Sequence, residues 1–135
     1  MNLGLALPNY ANDGWRIPSA QFIDLAQRAE TAGFGGLWVT EHLLRPPGRP
    51  YSRLNPLTSL SVVAGATDRI PLGTCIMIQP MRNPVLLAER IATLQHLADA
   101  RLNLGLGIGW APNEYAAVNV PFEERGPRFT EGLEI

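Results

Sequence analysis

The sequence predicts an α/β domain built on a parallel sheet. Three observations lead there. Short apolar runs begin near residues 3, 36, 72 and 102, spacings of 33, 36 and 30. Helix-forming segments separate them, and strands joined through helices must pair in parallel by right-handed crossovers. The runs are continuously apolar rather than alternating, the pattern of strands covered on both faces.

Each element has a local reason. Leu3 to Leu7 is a short apolar run ended by Pro8 and reads as a buried strand. Pro18 and Ser19 open a helix with Ser19 as N-cap; Phe22, Ala26 and Ala29 mark its inner face, and Gly33 stops it as a C′ residue. Gly36 to Thr40 is the second strand. A loop rich in Pro, Arg and Gly runs from Leu44 to Asn55, and Pro56 begins a helix reaching about Thr67. Leu72 to Ile78 is the third strand. Asn83-Pro84 opens a third helix with Leu87, Ile91, Leu94 and Leu97 on one side, and Leu102 to Ile108 is the fourth strand. A last helix starts near Glu124, where Glu123, Glu124 and Arg125 form a charge cluster suited to a helix N-terminus.

Two architectures fit this order, an open doubly wound sheet and a (β/α)8 barrel. A barrel takes about 250 residues, so four strands are half of one. No cap, Gly or Pro stop signal precedes Ile135. The chain is therefore expected to be one truncated domain, the N-terminal half of a barrel. Its first and fourth strands would then have open edges that favour a homo-oligomer.

Composition narrows the function. A hydrophobic share of 46% is that of a packed globular protein, and a charged share of 17% is low, pointing to surface buried on more than one side. Net charge is −1, which gives no electrostatic reason to expect nucleic acid or an anionic membrane. The apolar N-terminal run lacks a basic flank and falls short of the roughly 20 residues of a membrane span, so a cytoplasmic location is expected. Cys75 is the single cysteine, which excludes an internal disulfide and a multi-cysteine metal site. There is no metal-spaced His/Glu cluster, no Walker loop and no nucleophile elbow.

In both architectures ligands bind at the C-terminal ends of the strands. Asn9 and Tyr10 follow the first strand, Glu41 and His42 the second, Gln79 and Arg82 the third. Gly109, Trp110, Asn113, Glu114 and Tyr115 follow the fourth. Glu41-His42 is the best candidate pair, because a carboxylate with an imidazole can hold and move a proton near neutral pH. The alternative is that His42 caps the strand and bonds backbone. His96, inside the third helix, reads as structural. Gly105, Gly107 and Gly109 are a poor dinucleotide fingerprint, since the third glycine comes one residue early and on the fourth strand. They either let a flat ligand approach the backbone or serve tight packing. Arg45 and Arg82 are candidates for a phosphate or carboxylate, while Arg49 and Arg53 read as solvated loop charges.

Five segments carry a resemblance to a known family: residues 32–42 (AGFGGLWVTEH), 70–76 (IPLGTCI), 82–85 (RNPV), 101–115 (RLNLGLGIGWAPNEY) and 124–128 (ERGPR). In this order the chain resembles the luciferase-like monooxygenase superfamily, particularly its F420-dependent branch. The resemblance implies a (β/α)8 barrel holding a flat isoalloxazine-like ring at the strand C-termini. It implies Glu41 and His42 at the ring and a bulge on strand three, often with a non-prolyl cis peptide, at Thr74, Cys75 and Ile76. It also implies a cofactor contact from Gly107, Gly109 and Asn113. The implied enzyme is an oxidoreductase acting on a small-molecule substrate with coenzyme F420. An FMN-dependent monooxygenase and a non-catalytic barrel are the alternatives. Trp110 stands where the sugar-phosphate dehydrogenases of this branch carry a catalytic glutamate, and Pro46 where they carry a tryptophan. The resemblance therefore does not extend to glucose 6-phosphate oxidation by that carboxylate. The family's cofactor phosphates bind mostly in the second half of the barrel.

Overall fold

A computed structural model describes residues 3–11, 18–44 and 52–135 of the protein. In chain order its strands are β1 (Gly4–Ala6), the short β2 (Tyr10–Ala11), β3 (Gly36–Val39), the short β4 (Ser52–Arg53), β5 (Leu72–Ile78) and β6 (Leu102–Gly107). β1, β3, β5 and β6 form one parallel sheet in that order, as the spacing of the apolar runs predicts. The helices are α1 (Ser19–Thr31), α2 (Pro56–Ala64), α3 (Pro84–Leu97), α4 (Pro112–Ala117) and α5 (Arg125–Leu133). Among the described residues no helix is long and apolar enough to cross a membrane.

The sheet has a helix side and a bare side. Leu5, Leu37, Leu72 and Leu102 are successive register partners across the four strands. They pack with Phe22, Ala26 and Ala29 of α1, Leu60 and Val63 of α2, and Leu94 of α3. Burying each such side chain contributes about 1.5–3 kcal/mol, so this row holds the sheet to its helices. The opposite face carries Ala6, Trp38, Gly73 and Asn103 in register. Gly4, Ala6 and Asn103 are exposed there. The apolar runs are thus covered on one face only among the described residues, which corrects the expectation of two. In a closed barrel this is the face that opposing strands fill. Trp38 spreads across it. A Cβ at Gly4 would lie 2.3 Å from Trp38 Nε1, and one at Gly73 2.3 Å from Trp38 Cζ3. The glycines flanking Trp38 make room for its ring.

The local signals place α1, α2, α3 and α5 with three corrections, while α4 forms where Pro112 and Pro121 lead the sequence to read as loop. Pro18, not Ser19, is the N-cap of α1, because the Pro18 carbonyl already accepts from Phe22 N–H at 3.1 Å. α2 ends at Ala64 rather than Thr67, whose hydroxyl turns back to donate to Val63 O at 2.8 Å. Leu97 is 66% exposed, while Ala98 is fully buried. At about 100° per residue, Leu97 lies roughly 80° off the stripe of Leu87 and Leu94, and Ala98 falls on it. Elsewhere the signals hold: Asn55 and Asn83 accept from Thr58 N–H and Leu86 N–H, each with a proline following. Gly33 takes the left-handed conformation at φ 77.

Two features shape the C-terminal rim. β5 carries one extra residue, since Thr74 pairs with Leu104 but Met77 with Leu106. Inside this bulge the Cys75–Ile76 peptide is cis. The expected irregularity between Thr74 and Ile76 is therefore present. It leaves Cys75 and Ile76 exposed in an otherwise buried strand. Thr74 Oγ1 bridges the gap by donating to Gly105 O at 2.8 Å and accepting from Gly105 N–H at 3.1 Å. The second feature is the antiparallel ribbon of β2 and β4, part of which falls where the sequence reads as irregular loop. Pairing of two residues with two leaves no periodic signal. Buried Asn9 fastens the ribbon, donating to Thr40 O at 2.8 Å and Leu54 O at 3.3 Å and accepting from Thr40 N–H at 3.2 Å.

Candidate active site

The strand ends and the ribbon enclose a cleft of about 370 Å³ at the C-terminal rim. Its floor is the bulge, Cys75 and Ile76, and its walls include His42, Arg53, Tyr10 and Trp110. A second groove of similar volume lies between α2 and α3 on the outer side, lined by Leu57, Glu89 and Arg90 among others.

His42 lines the cleft beside Arg53, Tyr10 and Cys75. Its side chain is 34% exposed. The expected pairing with Glu41 is not formed. His42 Nδ1 instead lies 3.1 Å from Oε1 and 3.3 Å from Oε2 of Glu114, a side chain only 2% exposed. The same Oε1 accepts from Leu43 N–H at 2.7 Å and Leu44 N–H at 3.0 Å. Trp110 stands edge-on to the imidazole, with ring centres 5.5 Å apart at 81°, and is itself 72% exposed.

Glu41 serves a different contact. Its Oε2 accepts from Ile78 N–H at 2.7 Å and from Arg82 Nη1 at 3.0 Å, while Oε1 takes Arg82 Nη2. Arg82 Nη1 also donates to Ile78 O at 2.7 Å. The carboxylate that Arg82 meets is therefore Glu41, inside the protein, and the pair locks the end of β3 to the end of β5.

Arg53 corrects a second expectation. It is half-buried at the cleft, not a solvated loop charge. Its Nη1 donates to Thr40 Oγ1 at 2.8 Å, and its guanidinium lies 5.1 Å from the Tyr10 ring centre. Burial pulls the group below its ordinary pKa, against the opposing pull of Glu114 and Glu41. Arg45, Pro46 and Arg49 lie outside the described residues.

The other predicted contacts divide. Cys75, Ile76 and Gly109 line the cleft. Thr74 does not, being 1% exposed and bonded to β6. The space beside Gly107 is filled by Ile76, whose Cδ1 would lie 2.7 Å from a Cβ there. Ile78 Cγ2 stands equally close at Gly109, where φ is 69. These glycines let the bulged strand pack tightly against β6. Asn113 is exposed in the first turn of α4, outside the cleft lining. His96 is exposed on α3. Tyr115 is buried, its hydroxyl donates to Ile108 O, and burial raises its phenol pKa. Arg125 does not simply cap the last helix: its guanidinium sits 3.9 Å from the Phe122 ring centre.

A rim cleft floored by a bulged third strand is the arrangement that the resemblance implies, and the whole chain agrees with it. Residues 1–135 match the family model described as luciferase-like monooxygenase. The chain belongs to the luciferase-like monooxygenase family. An uncharacterized protein of Mycobacterium tuberculosis is 33% identical over 150 residues, a match covering 99% of this chain and 51% of the relative. The F420-dependent glucose-6-phosphate dehydrogenase of Kineococcus radiotolerans is 37% identical over 124 residues, covering 86% of this chain and 36% of that one. This luciferase-like chain thus spans about half, or less, of the length of these curated relatives. Among solved structures, the oxygenating constituent of 3,6-diketocamphane monooxygenase from Pseudomonas putida, in complex with FMN, superposes with a TM-score of 0.80. It is 23% identical, over 98% of this chain and 37% of its own, a likeness of fold alone. The fold of this luciferase-like chain is that of the first four βα units of the barrel.

Proposed function

We propose that this chain supplies the ring-facing part of an F420-dependent oxidoreductase, which moves a hydride between a small organic substrate and the coenzyme. The observation that carries the reading is His42, held by Glu114 at the wall of a cleft whose floor is the exposed Cys75–Ile76 bulge. The floor and walls suit a flat ring: Ile76 is 39% and Tyr10 42% exposed. The cations beside the cleft are already engaged, Arg82 by Glu41 and Arg53 by Thr40 and Tyr10. The ring of the coenzyme thus fits the described residues, while its phosphates are expected to bind elsewhere.

When bound, the deazaflavin supplies the carbon that accepts or gives the hydride. The protein orients its ring and the substrate. His42 exchanges the proton that accompanies the hydride, Ile76 supports one ring face, and Trp110 shields the imidazole from one side. Glu41, bonded to Arg82 and Ile78 N–H, keeps the rim in place. Trp110 in place of an acid makes a substrate other than glucose 6-phosphate the expectation.

The test is F420 reduction by purified enzyme against a panel of small alcohols, with cofactor binding followed by absorbance. Saturable binding with turnover supports the reading, and the absence of both would refute it. The second reading, an FMN-dependent monooxygenase, is favoured by the likeness to the FMN-bound Pseudomonas putida protein. It predicts dioxygen uptake with reduced FMN.

A further inference from the structure

We infer that Glu114 is the positioning residue for His42: it fixes the imidazole as the Nδ1–H tautomer, so that Nε2 meets the cleft as a proton acceptor. The inference rests on the oxidoreductase reading above. An ionised carboxylate only accepts hydrogen bonds. Two backbone N–H groups, of Leu43 and Leu44, already converge on Oε1. The ring nitrogen facing both carboxylate oxygens, at 3.1 and 3.3 Å, must then carry a hydrogen. In a neutral imidazole the other nitrogen is left with its lone pair. Trp110, edge-on at 5.5 Å, packs on the same ring.

Glu114 is 2% exposed and 72 residues from His42. The one carboxylate therefore ties the exit of β6 to the exit of β3, ordering the Leu43–Leu44 turn and the imidazole together. With the coenzyme bound, Nε2 would take the hydroxyl proton of an alcohol substrate while the hydride of its carbon leaves for the deazaflavin. The O–H and C–H bonds break, the C=O bond forms, and the resulting imidazolium remains paired with Glu114. A buried carboxylate that sets the tautomer of a catalytic imidazole acts in the same way in hydrolase triads.

The test uses the isosteric variant Glu114→Gln and the nitrogen-15 NMR spectrum of the histidines. The chain has two, His42 and His96, and His96→Gln assigns them. In the unsubstituted protein His42 is expected as the Nδ1–H tautomer. In Glu114→Gln the carboxamide oxygen keeps the Leu43 and Leu44 N–H groups and its NH₂ turns to the ring, so the hydrogen moves to Nε2. Turnover should fall by about 10²–10³-fold, within the worth of a positioned acid or base, with little change in KM. A His42 already in the Nε2–H form in the unsubstituted protein would overturn the inference without any variant. So would unaltered tautomer or turnover in a folded Glu114→Gln. Failure of the unsubstituted protein to turn over F420 would count against the oxidoreductase reading, while the tautomer measurement would still decide the role of Glu114.

Discussion

Glu41 Oε2 accepts the Ile78 N–H at 2.7 Å, which joins the end of the second main strand to the end of the third. The same carboxylate is closed by Arg82, and the two side chains are 3% and 17% exposed. Glu41→Ala should therefore leave a mostly buried guanidinium without its partner. The expected cost is about 3–5 kcal/mol of unfolding free energy, read from a denaturant titration. A loss under about 1 kcal/mol, the usual worth of an exposed pair, would show that the pair is surface decoration.

His42→Ala would remove the proposed proton carrier while leaving the Cys75–Ile76 floor in place. In an enzyme that turns over F420, kcat should fall by about 10²–10⁴-fold. The cofactor dissociation constant should change far less. Near-unchanged turnover would leave His42 a structural role only.

Gly73→Ala tests the bare face of the sheet. The added methyl would sit 2.3 Å from Trp38 Cζ3 and 2.9 Å from Asn103 O. One obstacle is backbone, so the ring must move and the strand must strain. We expect a loss of about 1–3 kcal/mol and a change in Trp38 fluorescence, measured against a Trp38→Phe control. Unchanged stability would mean that Trp38 does not lie across Gly73.

Glu30 gives a pH dependence. Burial pushes its carboxyl up, but the N–H groups of Arg69, Ile70 and Asp68 outweigh that and lower it overall. A lowered folded-state pKa contributes stability above the unfolded value, lost as pH falls through the folded one. The melting-temperature gap between the unsubstituted protein and Glu30→Gln should thus be full at pH 7 and shrink below about pH 4.5. A gap that grew on acidification would reverse the assignment.

The four strands of the parallel sheet and helices α1, α2, α3 and α5 were legible because of local signals such as apolar runs, prolines after Asn55 and Asn83 and the left-handed Gly33, whereas α4, in a stretch broken by Pro112 and Pro121, was not. The bulge at Cys75 and Ile76 was legible only through family resemblance, since nothing in Leu-Gly-Thr-Cys-Ile-Met-Ile marks an extra residue. The partner of His42 was not legible. Glu41 is its neighbour in sequence, but adjacent residues leave a strand end in opposite directions, so the imidazole and that carboxylate part. Glu114 stood at the predicted rim, and only the packing of α4 brings it to His42. Arg53 was missed because its ribbon is two residues long. Leu97 lies off the buried stripe because the helical phase carries that stripe on to Ala98 instead.

A deazaflavin ring resting on the Cys75–Ile76 bulge beside His42, as proposed, would cover the Cys75 thiol. The most direct measurement is the rate of thiol alkylation at Cys75, an exposed cysteine on the cleft floor. It is followed by peptide mapping of the purified protein, with and without saturating F420 or FMN. F420 is expected to slow alkylation of Cys75, and FMN to protect it less. Equal labelling rates with F420 bound and absent would contradict that seating of the ring.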